Sequence, residues 1–320
     1  MIRIGVIGTG NMGRNHVRIL REEWGRFHLV GIYDADPQRA GKIACTYGTE
    51  AFSSMDALLD SVEAVVVAVP SSLHPSVGGH VAARGKHALI EKPLALSSRE
   101  AEALTQSFTK AGCLLAVGHV ERFNPVVVEL KKVLRNESII ALEARRYGSF
   151  DGRISDANVV EDLMIHDIDL ADALLDHPPL KAVWGCGRMV KSGRLDHVNA
   201  MIQYENGLQA DLGASRVAQN KIREILVHSE SGLFEANLLT RSLLVYRNTN
   251  MVIEDGTECA YKQDSVIQRV FVPIVEPLRA ELLAFADAVD GAGPVAVDGT
   301  TAARAIQICE RVVQQCTLAG

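Results

Sequence analysis

Short, continuously apolar runs alternate with amphipathic stretches over the first third of the chain, and period-two patterns replace them afterwards. Ile2-Arg-Ile-Gly-Val-Ile7 reads as a buried strand that passes into Gly8-x-Gly10-x-x-Gly13 and a helical stretch over 14–23. A second strand is predicted over 28–34, with helices over 37–47 and 55–59. Buried strands over 64–70, 87–93 and 114–118 follow, separated by helices over 76–84 and 97–110. Val-rich strands between helices imply a parallel sheet covered on both faces, and their βαβα order implies a doubly wound domain. A ligand of such a sheet lies beyond the carboxyl ends of the strands. That rule collects Gly8 to Gly13, Asp34, Pro70 to His74, Glu91 to Pro93 and Gly118 to Asn124.

The rhythm changes after Phe123-Asn-Pro125. Segments 139–147, 180–190, 197–204, 208–215, 223–228 and 242–246 read as strands. Asn206-Gly207 predicts a type I′ hairpin, since both residues tolerate positive φ. One helix is expected over 162–176 and two more near the end, over 277–289 and 300–318. The fold class is therefore a doubly wound parallel-sheet (Rossmann) domain over 1–122, followed by an α+β domain over 123–320 built on a mostly antiparallel open sheet. Those helices are expected to cover one face of that sheet. The other face would then serve self-association, as a homodimer or homotetramer.

With 320 residues, the chain is long enough for two domains with real cores. A formal charge of −6 without a Lys/Arg run argues against nucleic acid as a partner. The apolar runs are too short to span a bilayer, no leader-like stretch precedes the glycine motif, and a cytoplasmic location is expected. Cys45, Cys113, Cys186, Cys259, Cys309 and Cys316 are scattered. They suggest reduced, mostly buried thiols and neither a disulfide framework nor a metal site.

The glycines carry the first candidate chemistry. Gly8 allows the tight turn, Gly10 allows backbone to approach a pyrophosphate, and Gly13 allows close helix packing, with Asn11 and Met12 between them. Asp34 lies 21 positions after Gly13, where a carboxylate can bind a ribose 2′-hydroxyl and repel a 2′-phosphate, which favours NAD over NADP. Lys92 ends a parallel strand, where its ammonium could meet a substrate hydroxyl, although a solvated lysine fits that location too. Asp162 and His166, four apart, would share a helical face, and histidine suits proton removal near neutral pH. On spacing alone a solvated acidic face, continued by Asp167, Asp169, Asp172 and Asp176, fits equally well.

Together, Gly8-Thr-Gly10-Asn-Met-Gly13, Pro70-x-x-x-His74, Glu91-Lys92-Pro93, Gly118-His-Val-Glu-Arg-Phe-Asn-Pro125, Asp162-x-x-x-His166-Asp167 and Pro277-Leu-x-x-Glu281…Phe285…Pro294…Gly299 resemble the Gfo/Idh/MocA oxidoreductases. The resemblance implies an NAD-dependent enzyme that oxidises a sugar hydroxyl, with His166 as general base and Lys92 and Asp162 binding or orienting the hydroxyl. It also implies a cis proline after Lys92, with His74 and Glu91 near the nicotinamide or its ribose and Ser71 near the adenosine side, although a capping or packing histidine at a helix start fits His74 nearly as well. If the strand over 114–118 ends at Gly118, His119, Arg122 and Asn124 face the cleft, as candidates for substrate contact or for the domain hinge. Arg145, Arg146 and Arg153 could meet an anionic substrate, Arg146 above all, although such arginines are often plain surface residues. The residues are most similar to the branch that oxidises the C3 hydroxyl of UDP-N-acetylglucosamine to a ketone for a downstream aminotransferase. A dehydrogenase of a free polyol or sugar, and a non-catalytic NAD-binding regulator, are the alternatives.

Overall fold

A computed structural model describes residues 1–150, 157–255 and 258–318, with the side chains of 248–265 and 317–318 outside the description. In the first part of the chain the elements are β1 (Ile2–Ile7), α1 (Asn11–Glu22), β2 (Phe27–Tyr33), α2 (Pro37–Tyr47), β3 (Glu50–Ala51), α3 (Met55–Ser61), β4 (Ala64–Val67), α4 (His74–Ala83), β5 (His87–Glu91), α5 (Ser98–Ala111) and β6 (Leu115–Gly118). The six strands pair in parallel in the order β3-β2-β1-β4-β5-β6, the doubly wound arrangement expected. The sequence writes each boundary. Asp36 and Ser97 cap α2 and α5 through their side chains, while Gly48 and Gly112 close them in the left-handed conformation, as cap chemistry favours. β4 is apolar on both faces and fully buried, as a central parallel strand requires.

The second part comprises α6 (Pro125–Val133), β7 (Ile139–Tyr147), α7 (Ile165–Leu174), β8 (Leu180–Met189), β9 (Leu195–Tyr204), β10 (Gln209–Ser215), β11 (Ile222–Ser229), β12 (Gly232–Asn237), β13 (Ser242–Asp255), β14 (Glu258–Val270), α8 (Pro277–Val289) and α9 (Gly299–Leu318). Its eight-stranded sheet runs β14-β13-β12-β11-β7-β10-β9-β8, with β7 and β10 parallel and the other neighbours antiparallel. Burial alternates along β7, along β9 after Asp196 and along the first half of β10. Leu142, Ala144, Val198, Ala200, Ile202, Ala210 and Leu212 are buried, whereas Arg145, Asn199, Met201 and Asp211 face the opposite side.

Three expectations are corrected. The chain divides into one unit of Met1–Phe123 with Glu276–Gln307 and another of Asn124–Val275 with Ile308–Gly320. The helix α8 thus belongs with the first unit, where Leu278, Leu282, Phe285 and Ala286 join the core of Ile4, Val6, Val17 and Leu20. The second sheet is covered instead by α6 against β12 and β13, and by α7 against β7 and β10. At the β9–β10 hairpin, Gly207 has φ 89° and donates to Tyr204 O, but Asn206 does not adopt positive φ. The turn is therefore a three-residue loop closed by a glycine rather than type I′. Finally, Cys45 and Cys186 are exposed, while Cys309 and Cys316 are buried; the side chain of Cys259 lies outside the described residues.

One buried anchor organises the second unit. Asp196 and Arg216 are 0% and 4% exposed. The Asp196 carboxylate accepts the backbone N–H groups of Val190, Lys191 and Ser192 and pairs with Arg216 Nε at 2.7 Å. Burial alone would raise its pKa, but the N–H groups of Lys191, Ser192 and Val190 and the Ser192 hydroxyl hold it well below the usual carboxylate range. Arg216 Nη1 in turn donates to Ala157 O at 2.8 Å, which fixes the chain just ahead of the segment carrying Asp162 and His166. Replacing Asp196 with Ala is expected to lower stability by about 3–5 kcal/mol, because it strands a buried guanidinium. Urea unfolding would read this. Since the native pKa is depressed, the stabilisation is present at neutral pH and is lost only as pH falls below about 4 towards that lower value.

Candidate functional site

In the first unit, the β1–α1 turn forms a cradle of bare backbone. Gly8 has φ +88°, and a Cβ there would stand 2.6 Å from Ala68 O. A Cβ on Gly13 would meet Gly8 O at 1.9 Å, so neither position admits a side chain. At Gly10 a Cβ would have nothing within 4 Å, which leaves backbone open to a ligand. Helix α1 begins there without a side-chain cap and without an acid in its first turn. Its first N–H groups and positive dipole end thus suit a pyrophosphate. Asn11 and Met12 are exposed on that turn.

Asp34, at the end of β2, is 9% exposed. Its Oδ2 accepts the N–H and hydroxyl of Thr9, each at 2.7 Å, and Oδ1 accepts Asp36 N–H at 2.9 Å. Burial would raise its pKa, but the Asp36 and Thr9 bonds and nearby Arg39 hold it below the usual range. The carboxylate is therefore charged and fixed in orientation. These features fit a dinucleotide, and the adenosine ribose would fall to Asp34.

Lys92 follows β5 as a half-buried side chain with its Lys92-Pro93 bond cis. His74 supports the same corner from α4. It is 1% exposed, with Nδ1 2.8 Å from Pro93 O and Nε2 3.0 Å from Val69 O. Both ring nitrogens face backbone carbonyls, so His74 braces the Lys92-Pro93 turn rather than offering a nitrogen to the cofactor. Burial pushes its pKa down against those carbonyls. Ser71 is half-buried at the start of a 3₁₀ turn. Glu91 Oε1 lies 2.7 Å from Nε2 of His16, which is 0% exposed.

Of the expected substrate contacts in 119–124, His119 is 1% exposed and Arg122 is half-buried in a 3₁₀ turn. Asn124, 8% exposed, caps α6 by accepting Val126 N–H. Asn124-Pro125, a cap followed by proline at the first helical position, is the signal by which α6 could have been found.

In the second unit, Asp162 lies in a single π-helical turn, Val160–Met164, that runs into α7 and His166. Such turns are rare and occur often at functional sites. The turn is set up by a capping box: Asn158 Oδ1 accepts the N–H groups of Val160 and Glu161, while Glu161 Oε2 accepts Asn158 N–H. Asp162 and His166 are both half-buried. The further acids do not form a solvated face, because Asp167, Asp169 and Asp172 are 3%, 1% and 3% exposed. Asp167 holds Arg146 in a forked pair, with Nε at 3.0 Å from both oxygens and Nη2 at 2.8 Å. At 2% exposure, Arg146 is thereby an internal anchor tying α7 to β7, which corrects its reading as a diphosphate contact. Sequence spacing gave no sign of this pair, since the two residues are 21 apart. Arg145 donates to Asp211 O at 3.1 Å, and Arg153 lies outside the described residues. Among those residues, no group of three His, Cys, Asp or Glu side chains could hold a metal, and no helix is long and apolar enough to cross a membrane.

Residues 2–119 match the oxidoreductase family with an NAD-binding Rossmann fold, and residues 145–235 match the GFO/IDH/MocA C-terminal domain. The chain belongs to the Gfo/Idh/MocA oxidoreductases. As a family member it is an NAD-dependent oxidoreductase. Among its relatives is UDP-N-acetylglucosamine 3-dehydrogenase of Acidithiobacillus ferrooxidans, 32% identical over 314 residues that cover 95% of this chain and 94% of the relative. The solved structure of that enzyme has a TM-score of 0.89 and covers 98% of this chain and 97% of its own. Inositol 2-dehydrogenase of Rhizobium meliloti is 24% identical, covering 98% and 96%. A Bordetella pertussis dehydrogenase solved with NADH and UDP-GlcNAcA shares the fold at TM-score 0.81 and 19% identity, covering 100% of this chain and 97% of its own.

Asp34→Ala is expected to weaken NAD⁺ binding at least about tenfold while leaving NADP⁺ binding unchanged or stronger, since the ribose acceptor and the repulsive charge leave together. Titration of the intrinsic fluorescence with each dinucleotide would measure both.

Proposed function

We propose that this oxidoreductase takes UDP-N-acetylglucosamine and oxidises its C3 hydroxyl to a ketone. The observation that carries this reading is the 32% identity, over nearly the whole of both chains, to an enzyme with that name. Bound NAD⁺ supplies the acceptor for a hydride from C3. The remaining work is proton and charge management by side chains. His166 accepts the hydroxyl proton as the C3–O bond gains double-bond character, a task matched to an imidazole near neutral pH. Lys92 steadies the developing alkoxide through its ammonium, braced by His74 at Pro93 O. Asp162 orients the hydroxyl or the imidazole from the π-helical turn. The inositol dehydrogenases, at 24% identity, support the free-polyol alternative less well, and membership of an oxidoreductase family sets the regulator aside.

The half-exposed face of the second sheet supports self-association. It carries a cavity of about 370 Å³ bordered by Arg145, Trp184, Asn199, Met201 and Asp211, and Trp184 is 45% exposed. A homodimer or homotetramer formed through this face, a cytoplasmic location, and an aminotransferase that consumes the ketone complete the reading.

The test is NADH absorbance with NAD⁺ and a panel of UDP-sugars and free polyols. Turnover is expected with UDP-N-acetylglucosamine, and kcat should fall by about 10²–10⁴ in Lys92→Ala and His166→Ala. Turnover with free polyols alone would transfer the assignment to them.

A further inference from the structure

Glu281 differs from the paired buried charges of this protein. It lies on α8, is 2% exposed, and neither carboxylate oxygen has a hydrogen-bond partner among the described residues. Beside it is a cavity with about 10 Å³ open to the centre of a water, lined by Leu89, Ala116, Val117, Phe285 and Val297, room for roughly one molecule. An ionised carboxylate in such surroundings needs a cation or several donors. The charged neighbour is instead a second acid, Glu91. Burial, and then the charge of Glu91, push Glu281 well above the usual carboxylate range, as expected where two carboxyls share a site.

Glu91 is held from other directions. Its Oε1 meets His16 of α1 at 2.7 Å, and its Oε2 packs over Gly118 of β6, where a Cβ would stand only 3.1 Å away. Other charges on the elements around α8 are engaged elsewhere or lie in the adjoining turn. Arg18 and Glu22 of α1 pair with Glu276 and Arg279 at the exposed edge of α8, while the turn 120–123 carries Glu121 and Arg122. His119, buried, ends the β6 segment. Glu91 is thus restrained by α1 and β6, and α8 contributes Glu281 as its acidic neighbour. The next residue along the chain is Lys92.

We propose that Glu281 is a positioning residue that stays protonated in the working enzyme, takes one buried water in the adjoining cavity, and fixes the Glu91 carboxylate so that Lys92 is correctly set. The consequence for catalysis rests on the role given to Lys92 above, whereas the protonation of Glu281 does not.

Infrared spectra of the full chain with NAD⁺ at neutral pH test the protonation directly. A protonated-carboxyl C=O stretch is expected in wild type and should be missing from Glu281→Gln. In turnover assays Glu281→Gln, the neutral isostere, should keep kcat within about threefold of wild type. Glu281→Leu should lose about tenfold or more in kcat, with KM for the sugar and NAD⁺ affinity changed by less than about twofold, since the loss lies in the reacting state. No such stretch in wild type, the same stretch persisting in Glu281→Gln, or wild-type kcat in Glu281→Leu would each overturn the proposal. If Glu281→Leu does not fold, the infrared comparison still decides, and it does so whichever sugar is the substrate.

Discussion

Backbone meets backbone at the β1–α1 turn, and the first unit depends on that contact. With Gly8 against Ala68 O and Gly13 against Gly8 O, α1 starts directly beyond β1, beside the end of β4. These are the strands at which the order β3-β2-β1-β4-β5-β6 changes direction. The same closeness leaves the helix start uncapped. Donors that would be a liability elsewhere are therefore available to an anion. Thr9, fixed within this turn, donates twice to Asp34, so the glycine turn and the Asp34 carboxylate are parts of one hydrogen-bonded unit.

Buried charge is handled by a common rule in both units. Arg146 meets Asp167, Arg216 meets Asp196, and His16 meets Glu91. Each pair joins elements distant in sequence, and removing either partner would strand the other in a low-dielectric interior. Two of these pairs frame the segment that carries Asp162 and His166. Arg216 fixes Ala157 ahead of it, and Arg146 fixes Asp167 within α7. Asp162 in the π-helical turn and His166 in the first turn of α7, both half-buried, thus lie on a segment tied down on either side, the support that a preorganised site would require.

Much of this was legible in the sequence where local chemistry dictates structure. Glycine spacing, Asp34, and the Val-rich runs located the first unit's strands to within a few residues, because a parallel strand must be apolar on both faces. The failures also have causes. β14, Glu-Cys-Ala-Tyr-Lys-Gln-Asp-Ser-Val-Ile-Gln-Arg-Val, carries polar side chains without a period-two pattern, so its pairing with β13 has no hydrophobic signature. β12 shows its inward Phe234 and Ala236 over just six residues, too few for a periodic signal. Helix α6 hid behind three consecutive valines, a composition that favours strands, although its Asn124-Pro125 start was readable. α8 was found at its observed bounds but assigned to the wrong unit, since an amphipathic pattern says that a face is buried and not what buries it.

The site shows the same division. Residues recognised by local motif, Gly8 to Gly13 and Asp34, have the turn, the close backbone approach and the strand-end place that their chemistry suggests. Several candidates placed by side-chain type or by strand end serve the fold instead. Arg146 was a candidate because guanidinium binds phosphate, and Asn124 because it follows the end of β6, yet one pairs with Asp167 and the other caps the start of α6. His74, a candidate for the cofactor or for packing at a helix start, lies between two carbonyls, which fits the second reading. In each case the polar group satisfies a need created by the fold: a buried acid, an uncapped helix, an irregular turn next to Lys92. A polar residue in a binding motif can therefore serve the reaction without touching substrate, by fixing the group that does. Glu281 extends that logic to a residue whose neighbour is itself an acid.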